Sequence, residues 1–422
     1  MLFSVVIPVF NVEKYLAECL DSVLAQTTYD MQVLCVNDGS TDSSLRILNE
    51  YADKDKRIIV INKVNSGYGD TVNLGIEKAS GDYIGIVESD DVVIDGMFQK
   101  MLSIADQTAV DIVKGAFNFY TTRTNQRILH PNFKNFPCEK IISIQEYPSL
   151  FFTAPSIWSA IYRKSFLEQN DIRFLSTPGA SYQDTSFAFK TWAVAKSVWL
   201  LSEPVIDYRQ DSLGSSSNVS KKVFNIFNET TEMRLFIEKN GLECFYPEFV
   251  KTKFISYNWT LARLNSNDKI KFFLRWIPEL RDEFEKGYFI RKHWNKASWN
   301  FIHQLVLNPD RAIQAFLNDA WPDCVKMDKA RWLSSVSPVY VYGAGKRALS
   351  VYQRLCQKNV SVSAFVVSNV QDNPADVEGI PVMALDEIDK DGIIFIGVSE
   401  KFKAEVAENL REHWLFNNVF EL

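Results

Sequence analysis

The chain has 422 residues, is 46% hydrophobic and 23% charged, and carries a net charge of -6. That length exceeds one ordinary domain and allows two or three. The composition excludes a disordered chain, and the acidic balance excludes nucleic acid as the main partner.

In chain order, Val5-Val6-Ile7-Pro8-Val9 is a short continuous apolar run, as in a strand buried on both faces. Leu16, Leu20, Val23 and Leu24 follow at helical spacing. A second apolar run, Val33-Leu34-Cys35-Val36, ends at Asn37-Asp38-Gly39-Ser40-Thr41-Asp42, and Leu45, Leu48 and Ala52 mark another helix. Ile58-Ile59-Val60-Ile61 leads through the turn Asn65-Ser66-Gly67-Tyr68-Gly69-Asp70 into a helix with Val72 and Ile76. Tyr83-Ile84-Gly85-Ile86-Val87 then runs into Glu88-Ser89-Asp90-Asp91. Strand and helix alternate at roughly 25 residues per unit, which predicts a parallel, right-handed, helix-covered sheet. From Val92 to Leu213 the pattern is mixed, and from Lys221 to Trp332 it is helical and rich in aromatic residues. Val339-Tyr340-Val341-Tyr342-Gly343-Ala344-Gly345 opens a further α/β stretch. The expected domains are 1–220, 221–335 and 336–422.

In parallel sheets ligands bind outside the carboxyl ends of the strands. Here those ends carry Pro8, Val9, Phe10 and Asn11, then Asp38, then the Asn65 turn, then Glu88, Ser89, Asp90 and Asp91. Asp90 and Asp91 read either as ligands of a hard divalent cation or as an acidic turn before the next helix. The convergence of three other strand ends favours the first. Asp38 can accept a hydrogen bond from a pyrimidine base or simply form an Asp-Gly turn. Phe10 can stack on a base or join the core.

These residues resemble the family-2 glycosyltransferases of GT-A fold. The resemblance rests on Ile7-Pro8-Val9-Phe10-Asn11, Val36–Asp42, Asn65-x-Gly67, Asn73-x-Gly75, Ala79-x-Gly81-Asp82-Tyr83-Ile84 and Glu88-Ser89-Asp90-Asp91, and covers about the first half of the chain. It implies a doubly wound mixed sheet and inverting transfer of a sugar from a UDP-sugar to the hydroxyl of a carbohydrate or lipid-linked glycan, in bacterial surface polysaccharide or glycan synthesis. It places Pro8, Phe10 and Asp38 at the nucleoside, Asn65 and Gly67 near the ribose and diphosphate, and Asn73 among the residues that bind the nucleotide sugar. Asp90 falls on the ligand position for Mn²⁺ or Mg²⁺. Gly179-x-x-Tyr182-Gln183-Asp184 resembles the segment that ends in the catalytic base, here Asp184. Val205–Arg209 and the Ser-rich stretch after it resemble the strand and loop over the diphosphate. The pattern departs at Glu88, where the family has Asp, at Gln183, where it has Glu, and at Val72, where it often has Arg. Arg209 is either a phosphate donor or a surface charge, and Trp158 either an acceptor platform or core. A sugar nucleotidyltransferase and a non-catalytic nucleotide-sugar scaffold are the rival readings. The first lacks a basic or Gly-rich loop after strand one, and the second does not need Asp184.

Lys269-Ile270-Lys271-Phe272-Phe273-Leu274-Arg275-Trp276-Ile277 mixes basic and aromatic residues. It suits either a peripheral contact with an anionic membrane or packing within its own domain or on a second copy of the chain. Pro278 is expected to end that helix. Gly343-x-Gly345-x-x-Ala348 resembles the turn of a small Rossmann-like domain that binds a nucleotide or mediates assembly, although Ser368-Asn369 replaces the acid expected at the end of its second strand. Cys19, Cys35, Cys138, Cys244, Cys324 and Cys356 and the histidines His130, His293, His303 and His413 show no metal spacing. The cysteines read as free thiols of a reducing compartment. With no secretion signal pattern at Met1–Ser4 and no apolar run near the ~20 residues of a membrane span, the expected location is the cytoplasm, including the inner face of the membrane.

Overall fold

The computed structural model describes residues 1–26, 30–130, 132–212, 220–317, 338–357, 360–371, 373–388, 393–412 and 418–421. The chain forms two compact units, one of 1–264 with 283–293 and one of 265–282 with 294–422.

The first unit opens as the alternation predicts. β1 (Phe3–Val9), β2 (Met31–Asp38), β3 (Ile58–Lys63) and β4 (Tyr83–Ile86) pair in parallel in the order β3-β2-β1-β4. The helices α1 (Leu16–Leu24), α2 (Ser44–Lys54) and α3 (Tyr68–Lys78) connect them. All seven residues of β1 are buried, as its unbroken apolar run requires of a central strand. Pro8 sits in this strand at no cost in ladder bonds. Val87 N–H donates to the Val6 carbonyl at 3.0 Å, and β4 has ended by the time the same side of β1 reaches Pro8.

Beyond β4 the sheet becomes mixed. β9 (Ala160–Arg163) is antiparallel to β4 and to β6 (Ile112–Thr121). β10 (Val198–Arg209) runs parallel to β6, and the two-residue β5 (Val92–Val93) closes the edge against β10. β7 (Gln126–His130) and β8 (Ile141–Ile142) pair with β6 and β10. α4 (Met97–Thr108) covers one face with Phe98, Met101, Leu102 and Ala105. The short α5 (Lys164–Gln169) follows β9. α6 (Gln183–Val194), α7 (Ile226–Asn240) and α8 (Tyr246–Leu261) pack in succession. At the α7–α8 contact the Phe227 and Tyr257 rings lie 4.8 Å apart, and the Thr230 and Tyr257 hydroxyls 2.8 Å.

In the second unit, α9 (Ser266–Glu285, its last three residues counted with the first unit), α10 (Lys296–Leu307) and α11 (Pro309–Leu317) gather around Phe273, Phe301 and Phe316. The proline expectation is corrected here, because α9 continues through Pro278 to Glu285. Buried Trp276, Ile277 and Leu280 hold the helix on both sides of the proline. Leu274, one turn back, is 65% exposed, so water can take the carbonyl that Pro278 cannot. Phe272, Phe273 and Trp276 are buried, and the Phe273 ring meets Phe301 and Phe316. Among the described residues, no helix is long and apolar enough to cross a membrane.

A second sheet follows in the order β13 (Asp376–Val377), β14 (Ile380–Ala384), β12 (Ala364–Val367), β11 (Val339–Tyr342), β15 (Ile393–Ile396), β16 (Asn418–Glu421). All its neighbours are parallel except the β13 edge. α12 (Lys346–Gln357) and α13 (Glu400–Glu412) flank it. The small residues of the Gly343 turn have a packing reason. A Cβ on Gly397 would come within 2.5 Å of Ala348 Cα, so helix α12 lies directly against the chain after β15.

Candidate active site

The carboxyl ends of β1 and β2 are knit together by short polar bonds. Asn11, at φ 50°, donates its N–H to Ser40 Oγ at 3.1 Å and accepts the Thr41 N–H on Oδ1 at 2.7 Å. Pro8 and Val9 are buried, whereas Phe10 is 51% exposed, which removes the core alternative for Phe10. Asp38 is almost completely buried. Its Oδ1 accepts from Lys63 Nζ and from the Ser66 N–H at 2.9 Å, and its Oδ2 accepts the Gly67 N–H at 3.0 Å. Asn65 Nδ2 donates to the Asp38 carbonyl at 3.0 Å. Asp38 therefore orders the Asn65 turn and keeps only one oxygen with spare acceptor capacity.

That turn in turn holds the segment before α6. Gly67 has φ 100°, and a Cβ there would meet the Thr177 carbonyl oxygen at 2.4 Å. The Tyr68 N–H donates to the Gly179 carbonyl at 3.0 Å. Asn73 brackets Phe174, donating to its carbonyl and accepting its N–H, each at 2.8 Å. The structure thus gives Asn73 a positioning task on the Phe174 backbone. Gln183, neutral where the resemblance expects Glu, donates its amide to Thr177 Oγ1 at 2.9 Å and to the Gly179 carbonyl at 3.2 Å. A carboxylate could not donate either bond. Asp184 follows in the first turn of α6.

Four carboxyl groups meet at this edge. Tyr68 donates its hydroxyl to Glu88 Oε1. Burial pushes the Glu88 carboxyl up to about 8, against the lowering effect of Tyr68, and the charges of Asp90 and Asp184 raise it further. Ser89 is buried beside it. Burial also raises Asp90, while Ser212 and Arg209 act to lower it. Asp91 is fully buried, and its Oδ1 accepts the Arg209 N–H at 2.8 Å while Oδ2 has no partner. Burial and then the Asp90 charge hold Asp91 well above the carboxylate range. Asp184 is half-buried and is pushed by desolvation up to about 6, with Thr185 acting the other way. Tyr208 feels all four of these charges, and Trp158 stacks on its ring at 4.7 Å. Trp158 is half-buried and also meets Phe117 edge-on at 4.7 Å.

Arg209 departs from expectation. Its side chain is 0% exposed, so it is not placed to reach a diphosphate. Nε donates to the Asp90 carbonyl at 2.5 Å, one terminal nitrogen to Thr122 Oγ1, and the other to Glu18 Oε2 at 2.6 Å. The rings of Tyr15 and Tyr120 lie within 4.9 Å of the guanidinium. Arg209 fixes the Asp90–Asp91 backbone. The Ser-rich stretch expected to close over a diphosphate lies outside the described residues.

The tyrosines were missed in the sequence because their types carry no charge pattern. Tyr68 lies in the Asn65 turn and Tyr208 in the Val205–Arg209 strand, and that placement beside the acids is the signal the sequence holds for them. Among the described residues no group of three or more His, Cys, Asp or Glu side chains is arranged to hold a metal ion by itself. The unpartnered Asp91 Oδ2 and the raised Glu88 and Asp90 are nevertheless oxygen donors short of positive charge. That fits a hard cation whose remaining ligands come from substrate oxygens and water.

The glycosyl transferase family 2 model matches residues 4–170. The putative glycosyltransferase EpsH of Bacillus subtilis is 31% identical over 268 residues, which is 62% of this chain and 76% of that protein. The chain belongs to glycosyl transferase family 2. The uncharacterized glycosyltransferase EpsJ of the same organism is 32% identical over 222 residues, 50% of this chain and 61% of EpsJ. The chain thus spans less than two thirds of EpsJ and about three quarters of EpsH. The crystal structure of S. aureus TarS 1-349 in complex with UDP-GlcNAc superposes with a TM-score of 0.61 at 19% identity, over 76% of this chain and 91% of that one. That similarity supports the fold of this family-2 glycosyltransferase, a GT-A-like mixed sheet.

Proposed function

We propose that this family-2 glycosyltransferase transfers a sugar, with inversion, from a UDP-sugar to an acceptor hydroxyl in bacterial cell-surface polysaccharide or glycan synthesis. The observation that carries the reading is the meeting of Glu88, Asp90, Asp91 and Asp184 at the carboxyl edge of the sheet. One of them, Asp184, has its carboxyl pushed up to about 6, suited to accepting a proton near neutral pH. Asp184 takes the proton of the acceptor hydroxyl. That oxygen forms its bond to the sugar C1 on the face opposite the diphosphate, and the C1–O bond breaks with its electron pair leaving on the diphosphate. Asp90, with Glu88 nearby, would hold Mn²⁺ or Mg²⁺, and such a cation would supply charge neutralisation for the departing diphosphate. Exposed Phe10 stacks on the base, and the spare acceptor capacity of Asp38 serves the base N–H. Asn65 and Gly67 shape the ribose and diphosphate side. Trp158, backed by Tyr208, offers an apolar face to the acceptor. TarS, a structural neighbour solved with UDP-GlcNAc, supports the choice of a UDP-sugar donor.

The test is a panel of nucleotide sugars with purified protein and Mn²⁺, reading nucleoside diphosphate release. The expected result is release from one UDP-sugar, lost with EDTA and with Asp184→Asn. Absence of release from every donor, with no thermal shift by UDP plus Mn²⁺, would overturn the transferase reading in favour of a non-catalytic scaffold.

A further inference from the structure

Lys114, in the middle of β6, is a buried amine that the transfer chemistry leaves unused. Leu200 of β10 and Ala160 of β9 flank it in the sheet, and among the described residues no carboxylate pairs with it. Burial alone pushes its ammonium down to about 7. Its Nζ donates to the Ser156 carbonyl and, at 3.2 Å, to Ser159 Oγ. Ser159 Oγ in turn lies 3.0 Å from Ser156 Oγ, and Tyr162 of β9 donates its hydroxyl to the Ile157 carbonyl at 3.0 Å. The turn 156–159 is thus pinned from two strands, and it carries Trp158. The Trp158 ring stacks on Tyr208, and the next residue along β10, Arg209, donates its N–H to Asp91. Hydrogen bonds and a ring contact therefore run from Lys114 to the carboxylate edge.

We propose that Lys114 is a positioning residue that fixes the 156–159 turn and so holds Trp158 as a platform for a ring sugar on the acceptor. The inference rests on the glycosyl-transfer reading and deepens its acceptor side. An apolar side chain would fill a central strand position without the cost of burying an amine. A neutral amine carries two N–H bonds, and the turn takes both, one on each side of Trp158. A pyranose presents the C–H bonds of one face together, ready to lie on an indole that is already fixed. An acyclic polyol has to be ordered first, so a rigid platform selects the ring.

The experiment labels the full chain with fluorotryptophan and follows the fluorine NMR line of Trp158, identified by its loss in Trp158→Phe. With UDP and Mn²⁺ present, methyl β-glucoside or methyl β-galactoside is expected to move that line in the wild type, and ribitol is not. In Lys114→Met the line is expected to shift or broaden before any sugar is added, while the lines of buried Trp192 and Trp276 stay. The Kd of the glycoside should rise about fivefold, as loss of one net hydrogen bond predicts. Lys114→Gln keeps one donor and should fall between. A role in stability alone would lower the melting temperature and leave the Trp158 line and the glycoside Kd in place, which overturns the proposal. So does a Trp158 line that ribitol moves as much as the glycosides do, or that neither glycoside moves. If Lys114→Met does not fold, Ser159→Ala removes one of the two bonds from the turn side, and a Trp158 line unmoved by it decides against the proposal. A wild type that turns over no donor, with no thermal shift by UDP plus Mn²⁺, is instead the failure of the transferase reading itself.

Discussion

Asp184 carries its proton up to about pH 6 because burial outweighs the hydrogen bonds of Thr185. A base must be ionised to act, so kcat/KM is expected to fall about tenfold per pH unit below pH 6 and to level off above it. A profile still flat at pH 5 would remove Asp184 as the base. Asp184→Asn keeps the shape and loses the base, and about 10²- to 10⁴-fold of the transfer rate should go with it. Gly67 makes a different kind of demand. With φ 100° and the Thr177 carbonyl 2.4 Å from where a Cβ would stand, Gly67→Ala has to move the 177–179 segment. The expected cost is at least about 1–3 kcal/mol of stability, read by denaturant unfolding, with a weakened response to UDP. An alanine variant as stable as the wild type would show that this segment yields freely.

At the scale of elements, the packing of α6 on α7 buries a carboxyl group. Glu229 is 0% exposed, accepts the Ser186 hydroxyl on Oε2 at 2.5 Å, and leaves Oε1 without a partner. Burial pushes it up to about 8 from an ordinary 4.5, with Asp184 and Glu232 adding to the rise and Lys190 opposing it. Between those two values the unfolded chain has released a proton that the folded chain keeps. The contribution of Glu229 to stability is therefore fully present below pH 4.5 and is lost as pH rises through about 8. Its slope reaches up to about 1.4 kcal/mol per pH unit. Glu229→Gln should flatten the stability profile between pH 5 and 8, measured by urea unfolding at several pH values. An unchanged slope would mean that Glu229 is ionised in the fold.

At the scale of the whole molecule, the chain has separate apolar cores. One includes Phe3, Ile7, Val33, Leu102 and Ile161 in the first unit. The second sheet is covered on its two faces by clusters around Phe365 and Ile394. Units with their own cores are expected to unfold in more than one calorimetric transition. UDP with Mn²⁺ should raise only the transition of the first unit, which carries the carboxylate edge. A single transition that moves as a whole on ligand addition would show the two units to be one cooperative body.

The strands and helices up to β4 were legible because each is specified locally. An apolar run such as Val5–Val9 suits a strand buried on both faces, and parallel strands joined by helices must deliver their ends to one edge. Asp38, Glu88 and Asp90 could therefore be placed at that edge from the sequence. Asp184 could be singled out only by resemblance, since it lies about a hundred residues further on and no local pattern ties it there. The tertiary structure decided which polar groups remain available. It spent Arg209 on Glu18, Thr122 and the Asp90 carbonyl, and most of Asp38 on Lys63 and the turn at 66–67. It carried α9 past Pro278, since burial of Trp276, Ile277 and Leu280 outweighs one missing hydrogen bond. It also set Trp259 of α8 edge-on against the Tyr182 ring, from a stretch with no motif. The physical reason is range. Hydrophobic period and turn chemistry act over a few residues, whereas burial, charge pairing and hydrogen-bond partners belong to side chains that meet only when the chain has folded.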